Sequence, residues 1–329
     1  MAVLATIIVV TATIVYFNYF SKRRLFISTT TSLYDTGLLD VIEADYEAIH
    51  SVDLQITAVG TGIAIQQAEN GDADIVLVHA PRPYELGFLE GGYGVNRKII
   101  AYNFFTIIGP ANNPAQISGK TATEALFNIV QYGQNLADQS GTNQIWVSRG
   151  DNSGTNTKEK SLWTTAGYDY MELSTEPWFA STGQGMGATL NVANQKNAYT
   201  LSDIGTYLKF STAGTIDSEA LILAEQSLLN VYSVMAVNSE TVQANQTKHE
   251  QINFNDAMNF IEYLVSPATQ QLINDFGKDT YELPLFYQAV QSLKDNAPQP
   301  IVSWIQDYAF FDGAECPPQY RNGYANLYS

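Results

Sequence analysis

Four times along this chain a short apolar run ends in a turn built from Ser, Thr and Gly, and after at least three of those turns a stretch of helical period begins at once. The turns are Thr29-Thr30-Thr31-Ser32, Gly60-Thr61-Gly62, Arg149-Gly150-Asp151-Asn152-Ser153-Gly154-Thr155 and Thr182-Gly183-Gln184-Gly185-Met186-Gly187. Strand alternating with helix implies an α/β fold with a largely parallel sheet under covering helices. In such a sheet the turns gather at the carboxyl ends of the strands, where helix N-termini offer free N–H groups and partial positive charge. Ser and Thr each donate one hydrogen bond, Gly admits a close backbone approach, and neither brings net charge, which suits a small oxyanion. Arg149 is the one full positive charge among the four turns. Taken singly, each turn reads first as an ordinary helix cap.

Coarse periodicity fills in the rest. Leu25 to Ser28 is a short strand; Leu38, Leu39, Ile42, Tyr46 and Ile49 share one face of a helix; Val52, Leu54, Ile56 and Ala58 alternate as in a strand; Asp74 to Val78 forms a third. The run from Ile99 to Ile108 reads as a strand leaving a first domain, and Val231 to Val237 as its return. A length of 329 residues suits two domains. The expected division is an N-terminal segment 1–24, a first lobe from 25–107 and 232–294, a second lobe 108–231, and an aromatic tail 295–329. Ser266-Pro267 opens a helix that closes at Gly277.

Sixteen Lys and Arg against 33 Asp and Glu give a net charge of -17, and with Lys22-Arg23-Arg24 as the only basic cluster this argues against a nucleic-acid partner. Charged residues are 15% of the chain, and the surface polarity comes instead from Asn, Gln, Ser, Thr and Tyr, as in extracytoplasmic proteins. One cysteine, Cys316, excludes an intrachain disulfide. Residues 2–21 carry no charge and are long enough to cross a bilayer, so the expectation is a membrane anchor or a pilin-like hydrophobic helix. Trp304, Phe310, Phe311, Tyr320, Tyr324 and Tyr328 make the tail a candidate, with that helix, for self-association. His50, His79 and His249 lie far apart, and a structural or solvated role is expected for each, with no metal site. Asp72 and Asp74 are read as hydrated, and Asn245-Gln246-Thr247 is a glycosylation sequon.

Several segments, TTTSLYDTGLLDVI from Thr29, AVGTGIAIQQAENGDADIVLVHAP from Ala58, GYGVNRKIIAYNFFTIIGP from Gly92, VSRGDNSGTNTKEKSLW from Val147, TGQGMGATLNVANQKNAYTLSDIGTYL from Thr182 and NFIEYLVSPATQQLINDFG from Asn259, occur in one order. Together they resemble the tungstate-binding members of the periplasmic substrate-binding protein superfamily, the soluble receptors of tungstate ABC importers. The resemblance implies a two-lobed type II fold, a chain that crosses between lobes twice, and an oxyanion held in the cleft as the lobes close. Carried over by position, the ligand-binding residues are Thr30, Thr31, Ser32, Thr61, Arg149, Ser153, Gly154, Thr155, Gln184, Gly185 and Met186. The family's usual RGDDSGTH is altered here at Asn152 and Asn156, and Ile204 stands where members often carry Arg.

The resulting expectation is an extracytoplasmic receptor that binds tungstate or molybdate, passes it to an ABC permease, uses no cofactor and catalyses no reaction. The alternative is a structural subunit of an extracellular filament or surface assembly built on the same fold. Asp151 decides one point of specificity: a fully ionised dianion needs only donors, whereas protonated phosphate also needs an acceptor, which an inward-pointing Asp151 supplies.

Overall fold

A computed structural model describes residues 22–140, 144–245 and 252–328. The segment 2–21 and His249 lie outside the described residues, as do Gln246 and Thr247 of the sequon. Among the described residues no helix is long and apolar enough to cross a membrane.

The described residues contain ten strands: β1 (Arg23–Thr30), β2 (Val52–Val59), β3 (Ile75–Val78), β4 (Gly94–Gly109), β5 (Trp146–Ser148), β6 (Phe179–Ser181), β7 (Thr200–Asp203), β8 (Glu219–Ile222), β9 (Leu229–Val237) and β10 (Tyr287–Gln288). Strands β2, β1 and β3 run parallel, with Ile27 opposite both Ile56 and Ile75. β9 then lies antiparallel to β3, β4 antiparallel to β9, and β10 antiparallel to β4. The distal end of β4 continues into the other lobe, where β7 and β8 pair with it, again antiparallel, and β5 and β6 form a parallel pair. The sheet is therefore mixed rather than largely parallel. The physical reason is the route of the chain: it leaves the first lobe on β4 and returns on the neighbouring β9, so the two must run in opposite directions.

All but one of the sixteen residues of β4 are buried, as expected of a strand covered on both faces. Its two buried cations have carboxylate partners. Arg97 Nε donates to Glu85 Oε2 at 2.8 Å, and Lys98 Nζ pairs with Glu315 of the tail. Unpaired, either charge at this depth is strongly destabilising.

Three apolar clusters build the first lobe. One contains Leu25, Ile27, Leu39, Tyr46 and Phe260; a second, Val76, Phe88 and Met235; a third, Ile99, Val231, Ile305 and Ala309. The second lobe centres on Trp146, Trp163, Trp178, Ile129 and Tyr199. The tail packs on the first lobe: Val302, Ile305, Ala309, Phe311 and Cys316 are at most 1% exposed, and Arg82 and Arg97 lie over the Phe311 ring. Two smaller expectations are corrected. Ile49 is 66% exposed, at the last position of the helix Leu38–Ile49, while Tyr46 in the same turn is buried. Asp74 is buried, its two oxygens accepting from the Phe26 and Asn253 N–H groups at 2.8 and 2.7 Å, so it clamps backbone instead of meeting water.

Candidate functional site

Each of the four turns begins where a strand ends. After β1, Thr30 is the N-cap of the short helix Thr31–Thr36, its hydroxyl accepting from Leu33 N–H at 3.4 Å. After β2, Gly60 caps the helix Thr61–Glu69 with no side-chain acceptor, so the helix N-terminus stays open. The turn after β5 passes through two left-handed residues, Gly150 and Asn152. A Cβ at Gly150 would meet Ser181 Oγ at 1.7 Å, so that hydroxyl would have to rotate away, and the positive φ disfavours any residue but glycine there. Ser153 then caps the helix Gly154–Thr165 by accepting from Asn156 N–H at 3.2 Å. After β6, Gly185 caps the helix Met186–Lys196, again with no side-chain acceptor.

The turns converge across the lobes. Arg149 Nη2 donates to Thr31 Oγ1 at 3.1 Å, joining the third turn to the first. A Cβ on Gly60 would lie 3.5 Å from Asp151 O, and one on Gly185 would lie 3.9 Å from Thr31 Oγ1, so second meets third and fourth meets first. Thr206 Oγ1 donates to Ser32 O at 3.5 Å, and Tyr84 OH to Asn152 O at 3.5 Å, beside the same cleft.

What these turns leave unfilled is a set of donors. Thr61 Oγ1, Thr155 Oγ1, Arg149 Nε and Arg149 Nη1 are all buried without a hydrogen-bond partner. Each such group costs roughly 1–3 kcal/mol relative to one that is satisfied, and a charged group costs more. Four of them concentrated on three residues of facing turns mark a place where an acceptor belongs. Arg149 is ion-paired with Asp151: Asp151 Oδ2 lies 2.5 Å from Nη2, while Asp151 Oδ1 accepts from Ser153 N–H at 3.2 Å. Asp151 thus stands in the cleft wall with both oxygens engaged by its own turn.

The eleven candidate positions separate into three groups. Thr30, Thr31, Ser32, Thr61, Arg149, Ser153, Gly154 and Thr155 come together, all buried except Thr31, which is half-buried. Gly185 and Met186 join them through backbone only, since the Met186 side chain sits in an apolar cluster with Ile108, Leu190 and Tyr207. Gln184 is exposed. Asn156, one of the departures from the family pattern, faces away from the cleft, donating to Ser148 Oγ and Tyr170 OH at 3.3 and 3.2 Å and holding Asn152 N–H.

Two residues of the site escaped the sequence reading. His79 follows β3 directly and is 1% exposed; a Cβ added to Gly154 would stand 2.7 Å from its ring. Burial pushes its pKa down to about 4, with Arg149 and Lys158 acting in the same direction, so the ring is neutral at physiological pH. Lys158 lies one helical turn beyond Gly154, where burial lowers its pKa to about 7. Its Nζ donates to Leu229 O at 3.0 Å and sits 4.2 Å from the centre of the Tyr308 ring. The signal that marks His79 in the sequence is its register: it occupies the same strand-end position as the residues of the other turns. A separate cavity of about 740 Å³, lined by Pro110, Tyr132, Gln144, Lys196 and Asp217 among others, shares no residue with the four turns.

Comparison with known proteins adds the following. The family model of the PBP superfamily domain matches residues 21–268. The tungstate-binding protein TupA of Peptoclostridium acidaminophilum is 35% identical over 267 residues, 81% of this chain and 86% of that protein. Among solved structures, the tungstate-binding protein TupA of Desulfovibrio alaskensis is 38% identical with a TM-score of 0.65, over 81% of this chain and 99% of that one. The tungstate ABC transporter structure from Geobacter sulfurreducens is 39% identical with a TM-score of 0.65, over 77% of this chain and 98% of that one.

Proposed function

Since this chain belongs to the PBP superfamily and, within it, to the TupA-like tungstate-binding proteins, we propose that it is an extracytoplasmic receptor that binds tungstate or molybdate between its lobes and delivers it to an ABC permease. The observation that carries the reading is the group of buried donors without partners on Thr61, Thr155 and Arg149. An oxyanion brings acceptors in every direction and satisfies all of them at once. Thr30, Thr31, Ser32 and Ser153 add hydroxyls, and the N–H groups of Gly154, Thr155, Gly185 and Met186 add helix N-termini.

The donors come from both sides of the cleft, from β1 and β2 on one lobe and from the turns after β5 and β6 on the other, so the anion favours the closed arrangement by the difference in donors it finds there. Lobe one comprises 25–107 and 232–294 and lobe two 108–231; the tail 295–329 belongs with lobe one. Residues 2–21 hold the receptor at the membrane beside its permease. The protein acts by binding alone.

Calorimetric titration of the full chain with tungstate, molybdate, sulfate and phosphate tests the assignment. Tight tungstate or molybdate binding with weak sulfate and phosphate is the expected result. A preference for phosphate reassigns Asp151 as the acceptor for a protonated anion, and no binding of any of the four refutes the receptor role.

A further inference from the structure

Beneath the turns runs a file of buried polar side chains whose hydrogen bonds admit one direction only. It starts at the carbonyl oxygen of Leu285, which can only accept, so the Asn103 atom 3.2 Å away is its NH2 nitrogen. The Asn103 carbonyl then accepts from the Asn230 NH2 at 2.9 Å, and that same NH2 donates to Tyr232 OH at 2.8 Å. This leaves the Asn230 carbonyl oxygen 2.9 Å from His79 Nδ1, so Nδ1 carries the proton. A neutral His79 therefore has a bare lone pair at Nε2, and Ser32 Oγ, 3.2 Å away, is the donor that fills it. The same hydroxyl has one other acceptor within reach, Thr30 Oγ1 at 3.4 Å, and the shorter contact to Nε2 takes the proton. Ser32, His79, Asn103 and Asn230 are all at most 1% exposed, so water does not substitute for any link.

The consequence falls on the anion site. In the free protein the Ser32 hydrogen points at His79, and Ser32 turns a lone pair towards the cleft, which opposes a fully ionised oxyanion. One proton added at Nε2 inverts the last link: Nε2–H donates to Ser32 Oγ, and the Ser32 hydrogen is released towards the anion. We infer that His79 is a positioning residue that takes up a proton when the anion binds, switching Ser32 from acceptor to donor. The inference rests on the oxyanion reading of the cleft. The charge balance points the same way, because Arg149 is already paired with Asp151, and the Lys158 ammonium is turned to Leu229 O and the Tyr308 ring. The groups facing His79 are Arg149 and Lys158 from the second lobe, Asn230 and the stacked Tyr232 from β9, and Phe105 from β4. Burial, aided by the two cations, keeps the free ring neutral; an arriving dianion acts in the opposite direction.

Calorimetry of the full chain with molybdate at pH 6, in two buffers of different ionisation enthalpy, counts the protons bound. The expected result is uptake approaching one proton, with affinity strengthening by up to about tenfold per pH unit as the pH falls from about 6 towards 5, below the range in which Lys158 titrates. The variant His79→Gln keeps a donor and an acceptor but takes no charge, and is expected to bind molybdate more weakly, with no uptake and a flat profile over that range. Zero uptake by the unmodified chain, or uptake that persists in His79→Gln, overturns the inference while the anion site stands. Failure to bind molybdate, tungstate, sulfate or phosphate at all removes the site and the inference with it. If His79→Gln does not fold, the ring nitrogen NMR signals of His79 in the unmodified chain decide: a change from neutral imidazole to imidazolium on adding molybdate supports the proton uptake, and an unchanged neutral ring refutes it.

Discussion

Replacing Arg149 by Ala separates the two costs that a buried guanidinium carries. In the free protein, Arg149 Nε and Nη1 have no acceptor, so deleting them removes two penalties of roughly 1–3 kcal/mol each. Against that stand the loss of the 3.1 Å bond to Thr31 and of the pair with Asp151, whose side chain is 17% exposed and so has some access to water. These contributions oppose one another, and the free variant is expected to unfold within about 2 kcal/mol of the parent, a small change for a buried arginine. Binding is different. Each charge-assisted hydrogen bond to the anion contributes on the order of 1.5–3 kcal/mol, and two are lost, so affinity is expected to fall by about 10²–10⁴-fold. Asp151, left without its partner, adds repulsion. The assay pairs urea denaturation of the free chain with calorimetric titration against tungstate. A variant that loses most of its stability yet binds normally in its folded fraction would show that Arg149 is a structural residue and that the anion does not sit beside it.

Three further outcomes follow from the same geometry. Ser153→Ala removes both an N-cap and one hydroxyl of the site, so denaturation and titration are each expected to report a loss of about 1 kcal/mol. Gly154→Ala places a methyl group 2.7 Å from a ring held at both nitrogens, and is expected to destabilise by about 1–3 kcal/mol and to weaken anion binding; a neutral effect in both assays would mean that the ring moves freely. Lys158→Met tests the buried ammonium through pH: the unfolded chain keeps that proton up to its ordinary 10.5, whereas the folded chain releases it near 7. Between about 7 and 10.5 the parent gains stability as pH rises, and below 7 the penalty is constant. Urea titrations should therefore find the variant's advantage over the parent largest below pH 7 and shrinking by up to ~10-fold in the unfolding constant per pH unit above it.

The turns were legible because strand-end chemistry is local: a few adjacent Ser, Thr and Gly residues announce both the strand that stops and the helix that starts. The same is true of Ser266 and Pro267, where a cap hydroxyl and a fixed proline φ mark the helix Pro267–Asp275. Relations between distant segments were not legible. Nothing near Lys98 in sequence announces that Glu315 neutralises it, nor near His79 that Asn230, 151 residues away, sets its tautomer. His79 was set aside for want of ligand-like neighbours, a criterion suited to metal sites and blind to a ring that acts through a serine. The parallel reading of the sheet failed for a related reason. Apolar patterning reports that β4 and β9 are buried on both faces but is silent on their direction, which is fixed by where the chain must go next.

That route has an architectural consequence. At the border between the lobes Phe104 pairs with Leu229, so the outgoing and returning strands are one strand spacing apart, about 5 Å. Everything between Gly109 and Leu229 enters and leaves through this single doorway, much as a guest domain is spliced into a host. The second lobe is thus a cassette: recombination between relatives at the two ends of the doorway exchanges half of the cleft while leaving the host lobe's sheet and its docked tail intact. New anion preferences are then open to a lineage by swapping one half of the binding surface, without rebuilding the part that carries the tail.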